Sequence, residues 1–145
     1  MRSRIIQKLD AGVGAQISNR SSSETFIANG TITAGDWVAF DTSKTGTDRI
    51  LYVIKAGAVA LGNPSVLGVA TASATAGQNV EVCVAGYCSS AKCEASISAA
   101  NLPIVIVAVA GSGEVNVAAN IASPCGVSLG AVAAGFAPVW VLASF

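Results

Sequence analysis

Short apolar runs separated by turn-forming residues make up most of the chain after residue 23. The runs are rich in valine, isoleucine, threonine and aromatic residues, and glycine, asparagine, aspartate or proline lies between them, a pattern typical of strands and turns. We predict strands at Glu24–Ala28, Asp36–Asp41, Arg49–Lys55, Val66–Thr71, Val80–Tyr87, Pro103–Ala110, Glu114–Ala118 and Val139–Ala143. One short helical turn is predicted at Cys93–Ala100. The pattern therefore predicts an all-β domain, a small β-sandwich or β-barrel with at most a short helix.

Alanine–glycine pairs recur ahead of predicted strands, at Gly35, Gly77 and Gly135. Two of these pairs share a longer frame, because the segments that begin at Gly68 and Gly126 each stand nine residues before the glycine of the next pair. The spacing favours a repeated hairpin in which glycine supplies a positive φ. Chance recurrence in a chain rich in alanine and glycine is the alternative.

Residues 1–23 are polar and rich in glycine and serine, and we predict an N-terminal arm followed by a single domain at residues 24–145. The arm is either a flexible leader or a tail that orders on a partner surface. Both apolar and basic side chains, which would suit a partner surface, lie near its start: Arg2, Arg4, Ile5, Ile6, Lys8 and Leu9. Because no long apolar stretch follows these basic residues, we expect no secretory signal and folding in a reducing cytoplasm.

Charged residues are few and unevenly distributed. Eight basic and eight acidic side chains give a formal net charge of zero, and only Glu81, Lys92, Glu94 and Glu114 lie after residue 55. A balanced charge disfavours nucleic acid as a partner. The longest strongly apolar run, Pro103–Ala110, is far shorter than the roughly 20 residues of a membrane-spanning helix. We therefore expect no membrane partner and predict that the charge-poor region contacts other protein.

Two predicted strands, Arg49–Lys55 and Pro103–Ala110, are apolar on both faces. A strand with one face in water alternates apolar and polar residues, so these strands should be covered on both sides. Neighbouring subunits are the expected cover.

Nothing in the sequence indicates catalysis. The chain has no histidine, the commonest general base, and no G-x-S-x-G motif. Gly111-Ser112-Gly113 is better explained as a tight turn, although a hydrolase using Ser112 and an unusual base is an open alternative. Asp36, Asp41 and Asp48 could supply paired carboxylates, but residues 41–48 are typical of a solvated hairpin loop. We predict no enzymatic activity, no catalytic residue and no cofactor.

The four cysteines, Cys83, Cys88, Cys93 and Cys125, are expected to be free buried thiols. Their spacing lacks the close C-x2-C pair typical of a zinc site, so no metal site is predicted. A disulfide between Cys83 and Cys93, or between Cys88 and Cys93, is the alternative in an oxidising environment.

Four short motifs occur in a fixed order between Thr31 and Gly86: an Ala-Gly-Asp turn that leads into a strand, a strand that ends in Lys-Ala, a Gly-Val-Ala segment, and an Ala-Gly-x-x-Val turn into a further strand. They lie at Thr33–Asp41, Tyr52–Ala56, Val66–Ala70 and Ala76–Val82. In this order they resemble the small head decoration, or cement, proteins of tailed bacteriophages. The segment from Cys83 to Cys93 and the apolar C-terminal third depart from that pattern.

The resemblance implies a β-tulip-like domain, commonly a homotrimer, that sits on the capsid exterior and clamps major capsid subunits. It implies synthesis in the host cytoplasm, and partners that are other copies of the chain and the major capsid protein. We expect the capsid or subunit interface to include Arg2, Arg4, Ile5, Ile6, Lys8, Leu9 and Trp140. Trp37 is expected in the core. A fibre head or adhesin-type binding module, also β-rich and oligomeric, is the alternative.

Overall fold

The computed structural model describes residues 20–59, 63–115 and 124–142 and is almost entirely β-structure, as predicted. Its strands in chain order are β1 (Ser21–Ala28), β2 (Trp37–Phe40), β3 (Tyr52–Lys55), β4 (Val66–Ala70), β5 (Asn79–Lys92), β6 (Pro103–Val105), β7 (Glu114–Val115), β8 (Gly126–Ser128) and β9 (Phe136–Val141). A 3-10 helix at Gly46–Ile50 lies between β2 and β3.

Five strands close into a barrel in the order β1-β3-β2-β4-β5, because β1 pairs with both β3 and β5. The β1–β3 pair is parallel and the other pairs are antiparallel. Each barrel strand contributes apolar side chains to one buried cluster, which includes Phe26, Val38, Val53, Leu67 and Val82. This cluster forms the barrel core.

Strand β5 continues beyond the barrel and carries a second layer. Its residues Gly86–Lys92 pair with β9, and the sheet continues through β8 and β6 to β7. Trp37 and Val69, from strands β2 and β4 of the barrel, pack with Ile104 and Val139 of this layer in a second core. Strands β2 and β4 are therefore buried on both faces by the chain itself.

For the start of the segment Pro103–Ala110, this arrangement corrects the expectation that neighbouring subunits cover the two-sided apolar strands, whereas for Arg49–Lys55 the expectation stays a prediction. Ile104, Val105 and Ile106 are buried within the chain, since the second layer packs on the barrel. In the other segment, Val53 is buried in the barrel core, whereas Ile50 and Leu51 are exposed.

The repeated turn is present in the structure. Gly35, Gly77 and Gly135 have φ values of 90°, 85° and 82°, and each stands one or two residues before a strand. In the first two turns the side chain of Asp36 or Gln78 accepts a hydrogen bond from the backbone N–H three residues earlier, at 2.8 and 3.0 Å. The nine-residue frame corresponds to two antiparallel strand pairs, β4–β5 and β8–β9, with Gly77 and Gly135 in the turns between their strands.

Several predicted element boundaries are wrong. Residues 93–100 form turns rather than a helix, and Ile97 N–H donates to the Glu94 carbonyl three residues back while its buried side chain packs in the core. Strand β6 ends at Val105, and the chain turns after it. In this turn the N–H groups of Ala108 and Val109 donate hydrogen bonds to Glu114 Oε1 and not to a neighbouring strand. Strand β8 is too short, at three residues, to have a recognisable alternation.

Strand β1 begins at Ser21, so the last part of the predicted arm belongs to the sheet. The ends of two predicted strands, residues 116–118 and 143, lie outside the described residues.

We predict that Gly77→Ala lowers the free energy of unfolding by about 1 kcal/mol or more, because φ is positive there and an L side chain is strained in that region. A Cβ at Gly77 meets no atom within 4 Å, so the cost is conformational and not steric. Urea denaturation followed by circular dichroism measures it.

Gly57→Ala is the matched control, because Gly57 is also exposed and has open space around a Cβ, but its φ lies outside the left-handed region. It should leave stability unchanged or slightly increased. Equal losses in both variants would show that the turn geometry at Gly77 carries no special cost.

Candidate functional site: an apolar sheet face and a charged cavity

The outward side of strand β9 is apolar along its length. Ala137, Val139 and Val141 point inward and are buried. The alternate positions Pro138 and Trp140 point outward, and so does Leu142, directly after the strand. An antiparallel sheet with one face in water normally places polar residues at such positions. This strand therefore presents a surface suited to contact with another apolar surface.

Neighbouring strands extend the apolar surface on both sides of β9. Trp140 lies opposite Tyr87 of β5 and opposite Val127 of β8 in the strand register, and Leu129 follows β8. Trp140 and Leu129 are 38% and 42% exposed. We call the following residues the β9 face: Tyr87, Val127, Leu129, Pro138, Trp140 and Leu142.

A cavity of about 430 Å³ opens on the β9 face between Arg20, Tyr87, Leu129 and Trp140. Arg20 is the first described residue, and its carbonyl accepts a hydrogen bond from Tyr87 N–H at 3.0 Å. The N-terminal segment of residues 1–19 therefore joins the domain at the rim of this cavity.

A second, charged cavity of about 510 Å³ has the Asp36 carboxylate in its wall. Lys92 Nζ lies 2.6 Å from Asp36 Oδ1, and Lys55 Nζ lies 3.1 Å from Asp36 Oδ2. The Asp36 side chain is 1% exposed, while those of Lys55 and Lys92 are 37% and 30% exposed. A buried carboxylate is thus compensated by two partly solvated ammonium groups.

The backbone positions this cluster from three directions. Asp36 lies directly after the Gly35 turn, Lys55 ends strand β3, and Lys92 ends strand β5. Beneath it, the Trp37 indole N–H donates to the Lys92 carbonyl at 3.0 Å, and Trp37 N–H donates to the Gly111 carbonyl at 3.0 Å. The completely buried Trp37 confirms its predicted place in the core.

The charged groups of this cavity bind one another, and Ser112 lies beside them. Ser112 lines it together with Lys55 and Lys92, but both ammonium groups bind Asp36 and so offer no lone pair to accept a proton from Ser112. The Ser112 backbone N–H donates to the Val109 carbonyl at 3.2 Å, in a turn between β6 and β7.

The carboxylates considered as a catalytic pair are not brought together. Asp36 and Asp41 lie at opposite ends of β2, and Asp48 lies in the 3-10 helix. Asp41 accepts hydrogen bonds from Ser43 Oγ and Ser43 N–H and from Asn29 Nδ2. The Ser43 side-chain hydrogen bond is the main reason that the pKa of Asp41 is lowered. Asp41 therefore stabilises the turn after β2.

All four cysteines are buried free thiols in the second core. The Cys83 thiol lies 3.6 and 3.7 Å from the carbonyl oxygens of Ala85 and Tyr87. Its interaction with the Cys88 thiol raises the pKa of Cys83 and lowers the pKa of Cys88 to about 7. Burial raises the pKa of Cys93 and of Cys125 to about 12. The thiols in contact are thus Cys83 and Cys88, whereas the pairings with Cys93 considered from the sequence stay predictions.

The residues predicted for a capsid or subunit interface divide into one that the structure describes and six that lie outside the described residues. Trp140 lies at the centre of the β9 face. The others, Arg2, Arg4, Ile5, Ile6, Lys8 and Leu9, lie outside the described residues.

The cluster of Asp36, Lys55 and Lys92 was not predicted from the sequence, although one signal was available. Lys92 is the only basic residue after Lys55, and it ends an apolar strand. A single cation in such a position indicates a buried partner of opposite charge.

Within the described ranges, no group of three or more histidine, cysteine, aspartate or glutamate side chains could hold a metal ion. The same residues contain no helix that is long and apolar enough to cross a membrane. No protein-family model matches the chain, and a search of curated proteins found no match.

We predict that Lys92→Met lowers the free energy of unfolding by about 1–3 kcal/mol, because it leaves a buried carboxylate with one cation fewer. In an Asp36→Asn background the same change should cost less than half as much. Urea denaturation of the four proteins of this double-mutant cycle gives the coupling. Equal costs in both backgrounds would show that Lys92 contributes through packing alone.

We predict that iodoacetamide modifies Cys88 before the other cysteines, with a rate that rises as the pH increases through about 7 and then levels off. Cys83→Ala removes the hydrogen-bond donor and should slow the reaction at pH 7, whereas Cys83→Ser retains a donor and should preserve the rate. Peptide mass spectrometry of timed samples identifies the modified residue. Earlier modification of Cys93 or Cys125 would contradict the assigned order of thiol acidity.

Proposed function

We propose that the chain is a structural virion protein, a decoration or cement protein that binds the outer capsid lattice of a tailed bacteriophage and stabilises the head. The observation that carries the proposal is the β9 face, an outward apolar surface centred on Trp140. Contiguous apolar patches of this kind mark sites of protein–protein contact.

The attachment of this face to a rigid barrel supports a clamping role. Strand β5 is shared by the barrel and the second layer, and the Asp36 cluster joins β2, β3 and the end of β5. A surface held in this way loses little conformational entropy when it binds, which favours durable contacts.

The N-terminal segment supports the same role. It joins the domain at Arg20, which lies beside Tyr87 and Trp140 of the β9 face. Basic and apolar side chains together provide electrostatic attraction and apolar anchors for a capsid partner. Under this proposal the partners are the major capsid protein and other copies of the chain, as a homotrimer on the capsid exterior.

We predict that the purified protein co-sediments with undecorated capsid shells, and that Trp140→Ser weakens this binding roughly tenfold or more, since a central interface tryptophan typically contributes about 2 kcal/mol or more. Ile50→Ser is the matched control, because Ile50 is also an exposed apolar residue but lies in the 3-10 helix between β2 and β3. Binding is measured from the shell-bound fraction across a concentration series, and native mass from light scattering.

Three results would contradict this assignment at different levels. A wild-type monomer that does not bind shells would overturn the cement role and favour the fibre or adhesin alternative. Shell binding that is unaffected by Trp140→Ser would remove the β9 face from the interface. Equal losses for Trp140→Ser and Ile50→Ser would indicate a general effect of surface polarity.

A further inference from the structure

The cavity on the β9 face lies where the undescribed N-terminal segment begins. Tyr87, Leu129 and Trp140 form its apolar wall, and Arg20 lines it from the start of the described chain. Chain connectivity therefore limits how far the residues just before Arg20 can lie from this cavity.

The sequence before Arg20 contains two apolar side chains within reach. Ile17 is three residues from Arg20, which allows a separation of at most about 11 Å, and Val13 is seven residues away, at most about 25 Å. Ile5, Ile6 and Leu9 lie further toward the N-terminus. The near part of the segment thus has apolar residues that can reach the cavity of its own chain.

Ile17 is the apolar residue that stands nearest to Arg20 in the sequence, because Ser18 and Asn19 between them are polar. Chain connectivity therefore holds Ile17 within the shortest reach of the apolar wall that Tyr87, Leu129 and Trp140 form.

We propose that the N-terminal segment docks on the β9 face of its own chain, with Ile17 in the cavity between Tyr87, Leu129 and Trp140. The docked part is residues 13–19, and Arg2, Arg4, Ile5, Ile6, Lys8 and Leu9 extend beyond it. This inference concerns the free chain and holds whether or not the chain binds a capsid shell. In combination with the proposed function, residues 13–19 hold the arm on its own domain, and residues 2–9 remain available for contact with a partner.

The two tryptophans provide a direct test. Trp37 is fully buried, whereas Trp140 is 38% exposed in the described domain. Acrylamide quenching of tryptophan fluorescence therefore reports mainly on Trp140, and a Trp140→Phe variant supplies the Trp37 background. A docked Ile17 shields the Trp140 ring from the quencher.

Ile17→Ser is expected to raise the quenching constant of Trp140 at least about twofold and to shift its emission to longer wavelength, because its ring gains contact with water. Deletion of residues 1–18 should have the same effect. Ile6→Ser, the matched control in the far half of the arm, should leave both readings at the wild-type value. Circular dichroism confirms that each variant keeps the barrel fold.

Other results would overturn the proposal. Unchanged quenching after the deletion would mean that the segment does not cover Trp140. An equal rise in Ile6→Ser and Ile17→Ser would place the far half of the arm on the face instead. If protection of Trp140 is lost on dilution while light scattering shows dissociation to a monomer, a second copy covers the face. None of these results bears on co-sedimentation with shells, which tests the proposed function separately.

Discussion

The buried carboxylate of Asp36 and its two lysine partners join the barrel to the second layer of strands. Lys55 comes from β3, the next strand of the barrel, whereas Lys92 comes from the far end of β5, 56 positions from Asp36. Trp37 strengthens the same junction, because its indole N–H binds the Lys92 carbonyl and its backbone N–H binds that of Gly111. The loop before β7, the start of β2 and the end of β5 are therefore fixed at one point.

This junction determines where the apolar β9 face lies. Strand β5 leaves the barrel after Gly86 and holds β9 along its second half, and the end of that half is tied to Asp36 through Lys92. Strand β9 covers the barrel with its inward residues, so its outward residues face away from the barrel. The orientation of Trp140 is thus a consequence of the way in which the second layer is anchored.

Local patterns predicted most strands, whereas the contacts that assemble them were beyond prediction. The turns at Gly77 and Gly135 could be recognised because positive φ strongly favours glycine, and the nine-residue spacing from Gly68 and Gly126 marked them. In the cluster of Asp36, Lys55 and Lys92, the isolated Lys92 signals a buried acidic partner, but no local pattern identifies that partner as Asp36, 56 positions away. The expected helix at Cys93–Ala100 fails for the same reason, since Cys93 and Ile97 are drawn into a core built by distant strands.

The cover of the apolar segment that begins at Pro103 was also assigned wrongly, since the chain itself buries Ile104, Val105 and Ile106. Charges after residue 55 are few, and the structure uses two of them within the domain: Lys92 binds Asp36, and Glu114 binds the N–H groups of Ala108 and Val109. The low charge therefore reflects in part a second layer that packs on the barrel. The apolar side chains that this packing leaves exposed include those of the β9 face, together with Val109 and, before residue 55, Ile50 and Leu51. The β9 face differs from these other positions because its apolar residues lie side by side on paired strands, so that they form one continuous surface suited to contact with another protein.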